Sequence, residues 1–231
     1  MEELFSHQEP AAHQSDSWKL FRIMSEFVQG FETFTAKGPF VSIFGGTRYK
    51  HHNPQYDIAY EVSLKIAKNG FSIITGAGPG LMEAANKAAR DAGQPSAGLI
   101  PDLPYELAPN QYLDPNLSPR FRYFFVRKVM FVRYAQGFVF LPGGYGTLDE
   151  FFEIVTLVQT KKIQPIPIIL MGSEFWNGLL DWLKSGPLHE HCVNKEELHL
   201  FTICDDPDKV ANHLLEHYHA KIKLHGSEES I

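Results

Sequence analysis

Short, continuously apolar runs alternate along this chain with longer segments whose apolar residues recur at helical spacing. The runs cover residues 40–44, 71–75, 97–100, 137–141 and 166–171, with 201–204 as a weaker sixth. A strand that is apolar at every position has to be covered on both faces, as in a parallel sheet between two layers of helices. The intervening segments carry helix signposts. Asn53, Pro54 and Gly70 frame one helix, with Ile58, Ala59, Val62 and Ile66 inward, and Pro79 and Gly93 frame the next. Further helices are expected over residues 126–135, 147–161, 173–184 and 207–221. Ahead of the first strand, Phe21, Met24, Phe27, Val28, Phe31 and Phe34 give a helix starting at Trp18. The expected fold class is therefore α/β, a single doubly wound Rossmann-like parallel sheet with helices on both faces and its ligand site at the carboxyl ends of the strands.

No repeat, linker or charge block divides the chain, so a single Rossmann-like domain is expected over residues 18–221. Residues 1–17 read as a flexible N-terminal arm and 222–231 as a flexible C-terminal tail. Twenty-seven acidic against twenty-one basic side chains leave a net charge of -6, which gives no general attraction to nucleic acid or to an anionic membrane. Cys192 and Cys204 have no companion Cys-x-x-Cys, so neither a disulfide framework nor a cysteine zinc site is indicated. With no apolar leader or membrane-length run, a cytoplasmic location is expected.

Three of the expected strand ends turn glycine-rich: Gly45-Gly46-Thr47-Arg48, then Gly76-Ala77-Gly78-Pro79-Gly80, then Pro142-Gly143-Gly144-Tyr145-Gly146-Thr147. Glycine lets backbone N–H groups converge on an anion, and the helix that follows adds the positive end of its dipole. A phosphate-bearing ligand is the natural inference. The second loop, with Asp102 further on, invites a dinucleotide reading, but its spacing is G-x-G-x-G and Pro79 lacks an N–H that the diphosphate fingerprint uses. No P-loop spacing is present.

Thr147-Leu-Asp-Glu150 admits two readings. It matches a capping box, in which the glutamate folds back on the helix start, and it equally offers a carboxylate to the ligand beside the third loop. Glu153, one turn on from Glu150, is the expected second acid, since Asp149 points about 100° away. Arg127 and Lys128 are candidates for phosphate or ribose contacts, because their apolar neighbours Phe124, Phe125, Val126 and Val129 imply a packed segment facing a cleft. His51 and His52 lie close to the first glycine turn and could touch a ligand. His213 and His217 read as a polar helix face without a third metal ligand.

The combination of Gly-Gly-Thr-Arg after the first strand, Gly76-Ala-Gly-Pro-Gly-Leu-Met-Glu-Ala-Ala-Asn86, Phe125-Val-Arg-Lys-Val-Met130 and Pro142-Gly-Gly-Tyr-Gly-Thr-Leu-Asp-Glu150 resembles the Lonely Guy (LOG) family. The likeness runs from about Phe40 to about Gln164. It implies a phosphoribohydrolase that cuts AMP or cytokinin nucleotides into free base and ribose 5-phosphate. Arg127 and Glu150 then take catalytic positions, and Gly143, Gly144, Gly146 and Thr147 form the phosphate loop. Gly45, Gly46, Gly76, Gly78, Gly80, Glu83 and Lys128 are expected among the substrate-binding residues. The resemblance also implies a homodimer, with higher assembly open; no ligand cluster has believable metal spacing, so neither a metal nor a cofactor is expected. Older labels call such proteins lysine decarboxylases, but pyridoxal chemistry needs a Schiff-base lysine that no motif here marks. The competing expectation is a non-catalytic nucleotide or molybdenum-cofactor carrier of the same fold.

Overall fold

The computed structural model describes residues 12–35, 37–103 and 108–228. Its main sheet has strands β1 (Phe40–Phe44), β2 (Ser72–Thr75), β3 (Ser96–Gly98), β6 (Ala135–Phe140), β7 (Ile168–Leu170) and β8 (Thr202–Ile203), in the order β3-β2-β1-β6-β7-β8. Every pairing in it is parallel. Two further short strands, β4 (Ile100–Pro101) and β5 (Arg120–Phe121), pair parallel in a sheet of their own. The 97–100 run expected as one strand is thus broken at Leu99, and its end turns away from the main sheet towards β5.

The period of two along each strand divides the core. Phe40 and Phe44 of β1 and Phe138 and Phe140 of β6 pack on one face. There they meet α4 (Phe124–Tyr134), α5 (Tyr145–Gln159) and α6 (Ser173–Leu183), through Met130, Phe131, Phe151, Ile154 and Trp176. Val41, Ile43, Val139 and Leu141 point the other way, against α2 (Pro54–Lys68), α3 (Leu81–Asp91) and α7 (Pro207–Glu228). Fully buried Ala84, Ala85, Ala88 and Ala89 bring α3 close to the sheet. Asn53 caps α2 as expected, accepting a hydrogen bond from the Gln55 N–H at 2.9 Å.

Both terminal helices are longer than the sequence suggested. Helix α1 runs Ala12–Phe34, so residues 12–17, expected in a flexible arm, continue the helix; no glycine or proline interrupts the chain between Ala12 and Gly30. Helix α7 runs on to Glu228, past the tail boundary expected after Lys221, because Ile222 and Leu224 sustain its helical pattern. The rest of the expected arm and tail, residues 1–11 and 229–231, lies outside the described residues.

The strand order reverses between β1 and β6: the chain moves outward to β2 and β3 on one side, then to β7 and β8 on the other. A crevice opens at the carboxyl ends of the strands where such a reversal occurs, because the loops after the two neighbouring strands leave in opposite directions.

Candidate active site

The three glycine loops meet at that crevice and are tied together by backbone hydrogen bonds. The Gly46 N–H donates to the Pro142 carbonyl at 2.9 Å, and the Leu81 N–H donates to the Gly46 carbonyl at 3.1 Å. This contact accounts for Gly80, which has φ +74°; a Cβ there would lie 2.6 Å from the Gly46 carbonyl oxygen. Gly143 is constrained in the same way, since a Cβ would sit 2.1 Å from the Thr147 hydroxyl. The loops enclose a cleft of about 880 Å³ whose lining includes Gly45, Gly46, Gly76, Gly78, Gly143, Gly144, Gly146 and Thr147. Helix α5 opens at Gly144 with no side chain capping it; the Thr147 N–H donates to the Gly144 carbonyl at 3.0 Å, and Gly144, Tyr145 and Gly146 ahead of it line the cleft.

The helix start bears on the two readings of Thr147 and Glu150. Because Gly144 occupies the N-cap, Thr147 is already inside the helix and the capping box, one of the two readings, does not form. Glu150 is buried instead, 2% exposed, with neither carboxylate oxygen hydrogen-bonded. Arg127 reaches it from α4, with Nη2 3.9 Å from Oε1. The guanidinium lies over the Phe124 ring at 4.4 Å, and its Nε is also buried without a partner. Two opposite charges are thus held close in the cleft wall, yet too far apart to satisfy each other. Such an arrangement has free hydrogen-bonding capacity for a ligand, because buried polar groups without partners are otherwise costly.

Burial dominates the protonation of Glu150 and raises its pKa to about 7, although the Lys128 and Arg127 charges pull it down. Burial likewise lowers the Arg127 pKa, but a guanidinium keeps its proton at any ordinary pH. The cleft therefore holds a permanent cation beside a carboxyl group that titrates near neutrality, as general acid–base chemistry requires.

Not every expected site residue lies here. Lys128 points along the outer side of α4 and α5, where its Nζ pairs with Asp149 at 2.8 Å and Glu153 at 2.7 Å, and it does not line the cleft. Glu153, the expected second acid, is committed to that pair rather than placed beside Glu150. Gly80 and Glu83 line a smaller adjoining pocket with Tyr56 and the 47–52 loop, and His51 Nε2 lies 3.3 Å from Glu83 Oε1.

The sequence reading missed the scaffold behind the second loop. Buried Asn86 accepts hydrogen bonds from the Thr75 hydroxyl at 2.6 Å and from the Asn110 amide at 2.9 Å, and donates to Ser96 Oγ at 3.0 Å. Thr75 Oγ1 in turn accepts from the Ala77 N–H at 3.0 Å and holds the 76–80 loop, in which Ala77 takes φ +66°. The signal was an amide inside an otherwise alanine-lined helix face.

Among the described residues no group of three or more His, Cys, Asp or Glu side chains is placed to hold a metal ion. No described helix is long and apolar enough to cross a membrane.

Residues 82–214, more than half of the chain, match the family model described as "possible lysine decarboxylase". The probable cytokinin riboside 5'-monophosphate phosphoribohydrolase LOG4 of Oryza sativa subsp. japonica is 26% identical over 181 residues, covering 76% of each chain. The chain belongs to the Lonely Guy family. The LOG4 enzyme of Arabidopsis thaliana, also named a cytokinin riboside 5'-monophosphate phosphoribohydrolase, is 27% identical over 147 residues, 62% of this chain and 66% of its own. Among solved structures, the Moco carrier protein of Chlamydomonas superposes with a TM-score of 0.57 at 18% identity, covering 79% of this chain and 99% of its own. The molybdenum cofactor binding protein of Rippkaea orientalis gives 0.56 at 20% identity, over 79% and 98%. These two likenesses establish the fold that Lonely Guy members share with such carriers. No lysine is among the described residues that line this cleft.

Proposed function

We propose that this protein hydrolyses the N-glycosidic bond of nucleoside 5'-monophosphates, AMP or N6-modified adenine nucleotides such as the cytokinin nucleotides named in its relatives. The observation that carries this reading is the buried Arg127–Glu150 pair with unsatisfied carboxylate oxygens, set beside the open helix start of the third glycine loop. A carrier needs the loop but has no use for a carboxyl group held near its titration point.

The 5'-phosphate binds the Gly143–Thr147 backbone and the positive end of α5. Water attacks the ribose C1', the C1'–N bond breaks, its electron pair leaves with the base, and the base takes up a proton. The products are free base and ribose 5-phosphate. Positive charge builds on the ring oxygen and C1' in the transition state. Ionised Glu150 offsets that charge and accepts hydrogen bonds from the ribose hydroxyls or the attacking water. Arg127 holds the phosphoribosyl group and, with Lys128, favours the ionised form of Glu150 against its burial. The phosphate takes no part in bond breaking but positions the sugar, so adenosine is a poor substrate.

The test is incubation of the protein with AMP followed by chromatography of the products. Adenine and ribose 5-phosphate in equal amounts support the reading. Unchanged AMP that raises the melting temperature would favour the carrier.

A further inference from the structure

Helix α1 takes no part in the cleft, yet it reaches the helix that carries Arg127. We infer that Glu26 of α1 is a positioning residue for Arg127, acting through the N-terminal end of α4; the inference rests on the phosphoribohydrolase reading above. The Glu26 carboxylate accepts two backbone hydrogen bonds, Oε1 from the Arg122 N–H at 3.0 Å and Oε2 from the Tyr123 N–H at 3.1 Å. Tyr123 is the N-cap of α4 and no side chain of its own caps that end. The Tyr123 carbonyl then accepts from the N–H groups of Val126 at 3.2 Å and Arg127 at 3.4 Å. Phe124, whose ring carries the guanidinium, is the first residue of the same turn. The route from Glu26 to Arg127 is therefore one peptide turn, gripped at both N–H groups ahead of it. A negative charge at a helix start also interacts favourably with the helix dipole.

The grip is rigid because α1 is fixed to α4 elsewhere. Gly30 lies against Met130 so closely that a Cβ would stand 2.5 Å from its sulfur. Phe34 packs on Tyr134 at 5.3 Å and edge-on against Phe40 of β1 at 5.6 Å. These contacts pair residues 26, 30 and 34 with the start, middle and end of α4, so the two helices run side by side in the same direction.

The consequence falls on Glu150. Arg127 faces it from α4, the Lys128 charge acts on it from the outer side of that helix, Asp149 and Glu153 lie on its own helix, and Arg48 from the β1 loop lines the same cleft. Lys128 is held by Asp149 and Glu153, so Arg127 is the cation whose place depends on the α4 start. Releasing that turn moves positive charge away from Glu150, which then needs a higher pH to ionise.

The experiment measures AMP hydrolysis against pH for the wild type, Glu26→Ala and Glu26→Gln in the full chain, with melting temperatures as a folding control. For Glu26→Ala, the acid limb is expected to move up by about half a pH unit and kcat near pH 7 to fall about twofold, with the deficit approaching about threefold at lower pH and disappearing at alkaline pH. Glu26→Gln, which keeps one acceptor oxygen, is expected to fall between alanine and wild type. A lower melting temperature with unchanged kcat and acid limb would show that Glu26 is only a helix cap, and so would a deficit equal at every pH. An inactive wild type would overturn the hydrolase reading and this inference with it, whereas an active wild type with an unaffected Glu26→Ala overturns this inference alone.

Discussion

At the scale of single residues, the proposed chemistry rests on Glu150 and Arg127, and the first prediction concerns the proton on Glu150. Its carboxyl group titrates near pH 7 in the folded protein and near 4.5 when unfolded. If the ionised form is the active one, kcat for AMP falls as pH drops through about 7, which a pH–rate profile checks. The same burial bears on stability. Below about pH 4.5 the group is neutral in both states; as pH rises towards 7 the unfolded chain ionises first, so folding stability is lost. Glu150→Gln carries no such cost. It is expected to exceed the wild type in stability above pH 7 by an amount on the order of 3 kcal/mol, with the difference vanishing near pH 4, as denaturation at the two pH values would measure. Arg127 and Glu150 were legible in the sequence because their motifs are local. The fates of Lys128 and Glu153 were not. They are settled by a pairing between two helices, and spacing along either one cannot reveal it.

At the scale of elements, β1, β2 and β7 were legible because each is buried on both faces and so largely apolar, whereas β8, the weaker sixth run, has Thr202 exposed. Strand β5 was not, since two residues carry no pattern, and Arg120 is exposed while Phe121 is buried. Helix α5 starts two residues before the expected 147 for a physical reason: Thr147 to Glu150 has capping-box spacing, but Gly144 is the N-cap and its carbonyl already accepts the Thr147 N–H. The second loop depends on a polar element hidden in the core. Asn86 joins α3 to Thr75, Ser96 and Asn110, and its replacement leaves several buried groups without partners. Asn86→Ala is expected to cost about 2–4 kcal/mol in urea denaturation and to weaken AMP binding by loosening the 76–80 loop. A variant as stable as the wild type would show that water replaces the amide without loss.

At the scale of the whole molecule, the reversal of strand order between β1 and β6 places three glycine loops and the Arg127–Glu150 pair in one crevice. The same arrangement puts α4 and α5 side by side, and their outer faces leave Phe125, Val129 and Phe152 about 40% exposed (42%, 41% and 38%). We propose that a second copy of the chain covers this apolar face, next to the cleft. Light scattering at micromolar concentration should give a dimer, and Phe152→Glu should shift it towards monomer; a monomeric wild type would defeat the proposal. The central claim, that this crevice hydrolyses nucleotides through Glu150, is tested most directly by the AMP turnover of Glu150→Gln. Glutamine preserves shape and removes the charge, so it should leave nucleotide binding largely intact while weakening the transition state. The account predicts a fall in kcat of at least about a hundredfold, equivalent to about 2.7 kcal/mol. A glutamine variant that keeps most of the wild-type turnover would contradict it.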